Sequence, residues 1–90
     1  MFKNLEELIA IIRKRKGSSV EESYTKKLLN DKNLSVEKIR EEIAELIDAI
    51  KKNSNKIHES ADVLYHLMVL LEANDIKIED VMDELKKRQK

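Results

Sequence analysis

No proline and a single glycine occur in 90 residues. Sheet sandwiches, barrels and glycine-rich phosphate loops need turn residues that this chain does not carry. What remains is a set of helices joined by short polar connections. The 3.6-residue spacing of apolar side chains marks five of them. The first covers about residues 4–16, with Leu5, Leu8, Ile9 and Ile12 on one face. It ends in Arg13-Lys14-Arg15-Lys16, cations at the end where the helix dipole favours them, with Gly17 as its cap. Ser19, followed three residues later by Glu22, reads as a capping box. It opens a second helix that reaches about Leu29 and breaks at Asn30-Asp31-Lys32-Asn33. Ser35 reads as the N-cap of the third, which runs to about Lys52 on a stripe of Val36, Ile39, Ile43, Leu46, Ile47 and Ile50. Asn53-Ser54-Asn55 is a tight connection that supplies the next N-cap. The fourth helix covers about 56–73 and stops at Asn74-Asp75; the last covers about 78–88 and packs Val81, Met82 and Leu85.

Short connections between four or five helices imply one all-α domain over residues 1–90, an antiparallel bundle. The fourth helix is apolar nearly all round from 61 to 71, interrupted only by Asp62, Tyr65 and His66. Such a helix is normally central, and a chain this small has little else to cover it, so a homodimer is expected. With no cysteine there is no disulfide framework and no thiolate zinc site. Eighteen basic and eighteen acidic residues balance, which argues against duplex DNA as a partner. No apolar run is long enough to span a membrane, and the N-terminus has no signal-peptide core. A cytoplasmic protein is the expectation.

The acidic residues of the third and fourth helices carry the chemistry. Glu42 and Glu45 are three apart on one flank, and Glu42 lies beside the apolar stripe; Glu59 and Asp62 are three apart, with His66 four further on. Acids on an amphipathic helix are ordinarily a solvated face. A carboxylate inside an apolar helix is costly unless neutralised, either by a lysine or arginine or by a metal. If the two helices pack antiparallel, the two pairs converge, repel and raise each other's pKa. A hard divalent cation, Mg²⁺ or Mn²⁺, resolves that repulsion with oxygen ligands alone. His66 lies on the same stripe, as a ligand or as a packing histidine that supports the ligands. His58 falls off it.

Here the chain resembles the phosphoribosyl-ATP pyrophosphohydrolase family of histidine biosynthesis, part of the all-α NTP pyrophosphohydrolase superfamily. Glu42-Ile43-Ala44-Glu45 and Glu59-Ser60-Ala61-Asp62 are similar to the superfamily's paired acidic motifs. Ser23-Tyr24-Thr25-Lys26-Lys27-Leu28 resembles a family segment, and 59–71 resembles the family's central helix almost residue for residue. The likeness extends from Leu5 to Arg88. It implies Mg²⁺-dependent hydrolysis of phosphoribosyl-ATP to phosphoribosyl-AMP and pyrophosphate. On that reading Glu42, Glu45, Glu59 and Asp62 hold metal, and Glu41 is an outer ligand or the base for the attacking water. Arg15, Tyr24, Lys27, Lys38 and His66 are the candidate substrate-binding residues. Arg40, Val20 and Asn74 stand where the family usually has glycine, proline and glycine. Two alternatives stay open: a pyrophosphohydrolase of other nucleoside triphosphates, and a non-enzymatic helical dimer whose Asp62 is paired to a base.

Overall fold

A computed structural model describes residues 1–17 and 23–89. Five helices and no strand occur among the described residues: α1 (Lys3–Lys16), α2 (Tyr24–Asn30), α3 (Lys32–Lys52), α4 (Lys56–Ala73) and α5 (Ile78–Arg88). The expected capping box of Ser19 and Glu22 lies outside the described residues. The described part of α2 is capped by Ser23, whose Oγ accepts from the Lys26 N–H at 3.4 Å.

The break between α2 and α3 is narrower than expected. Asp31 alone forms it, in extended backbone, and its Oδ1 accepts the Leu34 N–H at 3.0 Å. Asp31, not Ser35, is therefore the N-cap of α3. Both residue types suit that position. Ser35 serves another need: it is buried, and its hydroxyl donates to the carbonyl of Leu28, tying α2 to α3.

The connection between α3 and α4 runs through Asn53 and Asn55, both left-handed at φ 53° and 56°. Asparagine tolerates that region better than most residues with a Cβ. Asn53 returns its N–H to the last turn of α3, and Asn55 precedes α4 without a side-chain cap bond. At the other end of α4, Asn74 is not left-handed (φ −102°); Asp75 takes that conformation instead, at φ 58°. Gly17 likewise closes α1 at φ −88°, without a left-handed turn.

Every other helix packs against α4. The core joins Ile12 of α1, Leu28 and Leu29 of α2, and Met68, Val69 and Ala73 of α4, flanked by Leu8, Leu34 and Ile78 among others. Each fully buried aliphatic side chain contributes roughly 1.5–3 kcal/mol. All the buried residues of α4, His66 included, lie in its second half. Two ion pairs fasten α1 to the turn after α4 and to the start of α5. Arg13 holds Glu79 through both of its terminal nitrogens, at 2.9 and 2.5 Å, and Lys16 holds Asp75 at 2.6 Å.

Only part of the apolar stripe of α3 is its packing face. Ile39 and Ala49 are buried and Leu46 is half-buried, whereas Ile43, Ile47 and Ile50 are exposed. The inward face thus reads 39, 42, 46, 49, and a glutamate stands in it. The first half of α4 is also less covered than its all-round apolarity suggests: Ile57, Ala61 and Leu64 face solvent in the single chain. Among the described residues, no helix is long and apolar enough to cross a membrane.

Candidate metal centre

The three-residue turn folds α4 back along α3, so the acidic pair on each helix meets the other. One carboxylate oxygen from each of Glu42, Glu45 and Glu59 lies within 4.8 Å of the others. A second group of the same tightness joins Glu59 to Asp62 and His58. Glu59 belongs to both.

Hydrogen bonds leave part of this cluster unsatisfied. Oε2 of Glu42 and Oε2 of Glu59 are buried and have no hydrogen-bond partner among the described residues. Buried acceptors left unpaired are rare and unfavourable. The carboxyl of Glu42 is also pushed above its ordinary value, first by burial, then by Glu45 and Asp62, against an opposing contribution from His66. Glu59 is raised likewise, by burial and by Glu45 and Asp62, with His58 opposing. Unused lone pairs converging from two helices form a donor set that suits a hard divalent cation. These residues fit Mg²⁺ or Mn²⁺.

Asp62 is partly exposed, and no lysine or arginine pairs with it among the described residues. Its partner is His58, whose Nε2 stands 3.3 Å from Oδ2. Placing His58 off the acidic stripe overlooked this contact. The i, i+4 spacing of His58 and Asp62 is the signal that could have found it.

His66 is buried and both its ring nitrogens are engaged. Nδ1 is 2.9 Å from the carbonyl of Asp62, and Nε2 is 3.1 Å from the hydroxyl of Tyr24. A carbonyl only accepts, so Nδ1 carries the hydrogen, and Nε2 is left to the Tyr24 hydroxyl. Next to this pair, the hydroxyls of Thr25 and Tyr65 are bonded to each other. The Tyr65 and His66 rings meet edge to face at 5.0 Å. Burial raises the Tyr24 phenol above its ordinary value, with Lys38 opposing. About half of Tyr24 remains exposed.

Lys38 reaches Glu41 at 3.2 Å on the exposed side of α3, and this contact raises the pKa of the lysine. Arg15 and Lys27 are exposed, and neither forms an ion pair among the described residues. The structure therefore brings together Glu42, Glu45 and Glu59, sets Asp62 beside Glu59 with His58, joins Tyr24 to His66, pairs Lys38 with Glu41, and leaves Arg15 and Lys27 outside those contacts.

A family model described as phosphoribosyl-ATP pyrophosphohydrolase matches residues 5–89. A phosphoribosyl-ATP pyrophosphatase of Methanococcoides burtonii is 42% identical over 94% of this chain and 91% of its own length. One from Caulobacter sp. is 43% identical over 99% of this chain and 85% of its own. The histidine biosynthesis bifunctional protein HisIE of Pyrococcus furiosus is 46% identical over 96% of this chain, which matches 41% of that longer protein.

Proposed function

The chain belongs to the phosphoribosyl-ATP pyrophosphohydrolase family, and we propose that it hydrolyses phosphoribosyl-ATP to phosphoribosyl-AMP and pyrophosphate in histidine biosynthesis. The observation that carries this reading is the convergence of Glu42, Glu45 and Glu59 with buried, unpaired oxygens. In the proposal these three, with Asp62, hold Mg²⁺, which Mn²⁺ can replace. When bound, the cation supplies charge neutralisation at the phosphates and polarises a water.

The protein's own groups do the rest. Water adds to the α-phosphorus, the anhydride bond to the β-phosphate breaks, and pyrophosphate departs. Glu41, which follows Lys38 by one turn and pairs with it on the exposed side of α3, is the proposed acceptor of the water's proton. Lys38, Lys27 and Arg15 are proposed to attract the phosphates, and the exposed half of Tyr24 offers a face to the nucleotide. A second copy of the chain is proposed to cover Ile43, Ile47, Ile50, Ile57 and Leu64, which would otherwise leave an apolar face in water. The cytoplasm is the compartment that goes with this proposal.

Phosphorus NMR of the purified protein with phosphoribosyl-ATP and Mg²⁺ tests the reading. Pyrophosphate is expected with wild type. Glu45→Gln and Glu59→Gln should lose at least about two orders of magnitude in turnover while staying folded by circular dichroism. Turnover of deoxynucleoside triphosphates but not of phosphoribosyl-ATP would reassign the substrate. Full activity in both variants would refute the site.

A further inference from the structure

The two segments that give this chain its likeness to the family, Ser23-Tyr24-Thr25 and Tyr65-His66, lie against each other. Two successive residues of α2 hold two successive residues of α4: Tyr24 bonds His66, and Thr25 bonds Tyr65. His66 passes the grip on through Nδ1–H to the carbonyl of Asp62, one turn back along α4.

From this geometry we infer that His66 and Tyr24 are positioning residues that set the rotation of α4 about its axis, and so aim Glu59 and Asp62 at Glu42 and Glu45. Residues 59, 62 and 66 share one stripe of the helix, separated by three and four positions. A helix is stiff, so fixing the direction of residue 66 fixes the directions of 59 and 62. Both ring nitrogens of His66 are spent within the protein, and the ring is buried. It has no donor or acceptor left for a substrate phosphate. The Tyr24 hydroxyl spends its hydrogen on His66, which leaves its oxygen as an acceptor and its ring for any other contact.

This inference rests on the proposed metal centre but not on the identity of the substrate. Its test therefore uses Mn²⁺ alone, titrated into the full chain by calorimetry. Removing one oxygen in Tyr24→Phe should weaken Mn²⁺ binding about fivefold, and His66→Ala about tenfold, the scale for groups that orient metal ligands. The double variant should bind no more weakly than His66→Ala, because both changes break one chain of contacts. His66→Gln, whose amide reaches the place of Nε2, should recover binding to within about twofold of wild type, and His66→Asn, which stops at the place of Nδ1, should not. A role confined to stability would lower the melting temperature and leave Mn²⁺ affinity unchanged. If His66→Ala does not fold, Tyr24→Phe still decides. With phosphoribosyl-ATP, Tyr24→Phe should lower kcat at an unchanged KM when Mn²⁺ is subsaturating. Wild-type Mn²⁺ affinity in both Tyr24→Phe and His66→Ala would overturn the inference. So would a raised KM at unchanged Mn²⁺ affinity, the signature of direct substrate contact. Wild type that binds Mn²⁺ but does not turn over phosphoribosyl-ATP would instead overturn the proposed reaction and leave this inference standing or falling on the titrations.

Discussion

Glu42→Gln should have opposite effects on the protein with and without metal. In the metal-free chain Glu42 is half-buried, carries an unpaired buried oxygen, and lies within 4.8 Å of carboxylate oxygens of Glu45 and Glu59. Two carboxylates at that separation repel by about 3 kcal/mol at an effective dielectric of 20. Solvent around the exposed Glu45 reduces the net effect to about 1 kcal/mol. In a domain of this size that corresponds to about 4–8 °C in melting temperature, so metal-free Glu42→Gln should melt higher than metal-free wild type by this amount. The sign has a pH signature. The folded-state carboxyl lies above its ordinary 4.5, so the native state keeps a proton that the unfolded state has already lost. Metal-free wild type should therefore lose stability as pH climbs from 4.5 through the raised value, and Glu42→Gln should lose less. Mg²⁺ reverses the ranking. At about a hundredfold excess over its dissociation constant, a ligand bound only by the native state adds about 2.7 kcal/mol, or about 10–20 °C. That gain should be present in wild type and nearly absent in Glu42→Gln. Differential scanning calorimetry with EDTA and with Mg²⁺ gives all four values. A variant that melts below wild type in EDTA, or responds equally to Mg²⁺, would refute the reasoning.

Three further outcomes are expected. Lys27→Ala, if the lysine meets substrate phosphate, should raise KM for phosphoribosyl-ATP about tenfold, the scale of one charge-assisted hydrogen bond; steady-state assays showing kcat alone affected would remove that role. Glu79, held by Arg13, has its carboxyl lowered to about 2, so its contribution is present above the ordinary 4.5 and is lost as pH falls through 2. Thermal melts should show Glu79→Gln losing less stability than wild type between those two values, with a parallel acid profile as the contrary result. Sedimentation equilibrium should find a dimer, and Ile47→Glu with Leu64→Glu should release folded monomers; a wild-type monomer at micromolar concentration would count against the proposed cover for that face.

Helix number and most helix ends were legible because the chain has almost no other means of turning. Asn53-Ser54-Asn55 and Asn74-Asp75 stop helices whatever packs around them. The start of α3 was not legible, because Asp31 and Ser35 are equally good caps by type. Only the burial of the Leu28 carbonyl, a tertiary fact, gives Ser35 its other partner. The inward face of α3 was legible only in part, for a related reason. Val36, Ile39 and Leu46 of the expected stripe are covered, but Ile43, Ile47 and Ile50 are exposed, and Glu42 and small Ala49 take inward places instead. The acidic residues of the site were legible from their paired spacing. The His58 contact and the grip of α2 on His66 depend on which way each side chain turns, and spacing alone does not specify that.

The division of labour along α4 follows from these placements. Its second half contributes Met68, Val69 and Ala73 to the core, and this is where α1, α2 and α5 gather. Its first half, with the facing part of α3, holds like charges together, an arrangement that lowers stability without metal. An apolar core centred there would exclude the carboxylates; a fully solvated one would screen them and leave no unpaired oxygen. The chain does neither: the residues of α4 in the main core cluster start at Met68, and His66 just before them is buried and bonded to the Asp62 carbonyl. His66 thus stands between the core cluster and the acidic cluster. Changes on either side of it should therefore separate cleanly. Val69→Ala should lower the melting temperature in EDTA and in Mg²⁺ alike. Glu45→Gln should change chiefly the difference between those two temperatures. A Val69→Ala protein that stays stable but loses its response to Mg²⁺ would show that the two halves are not independent.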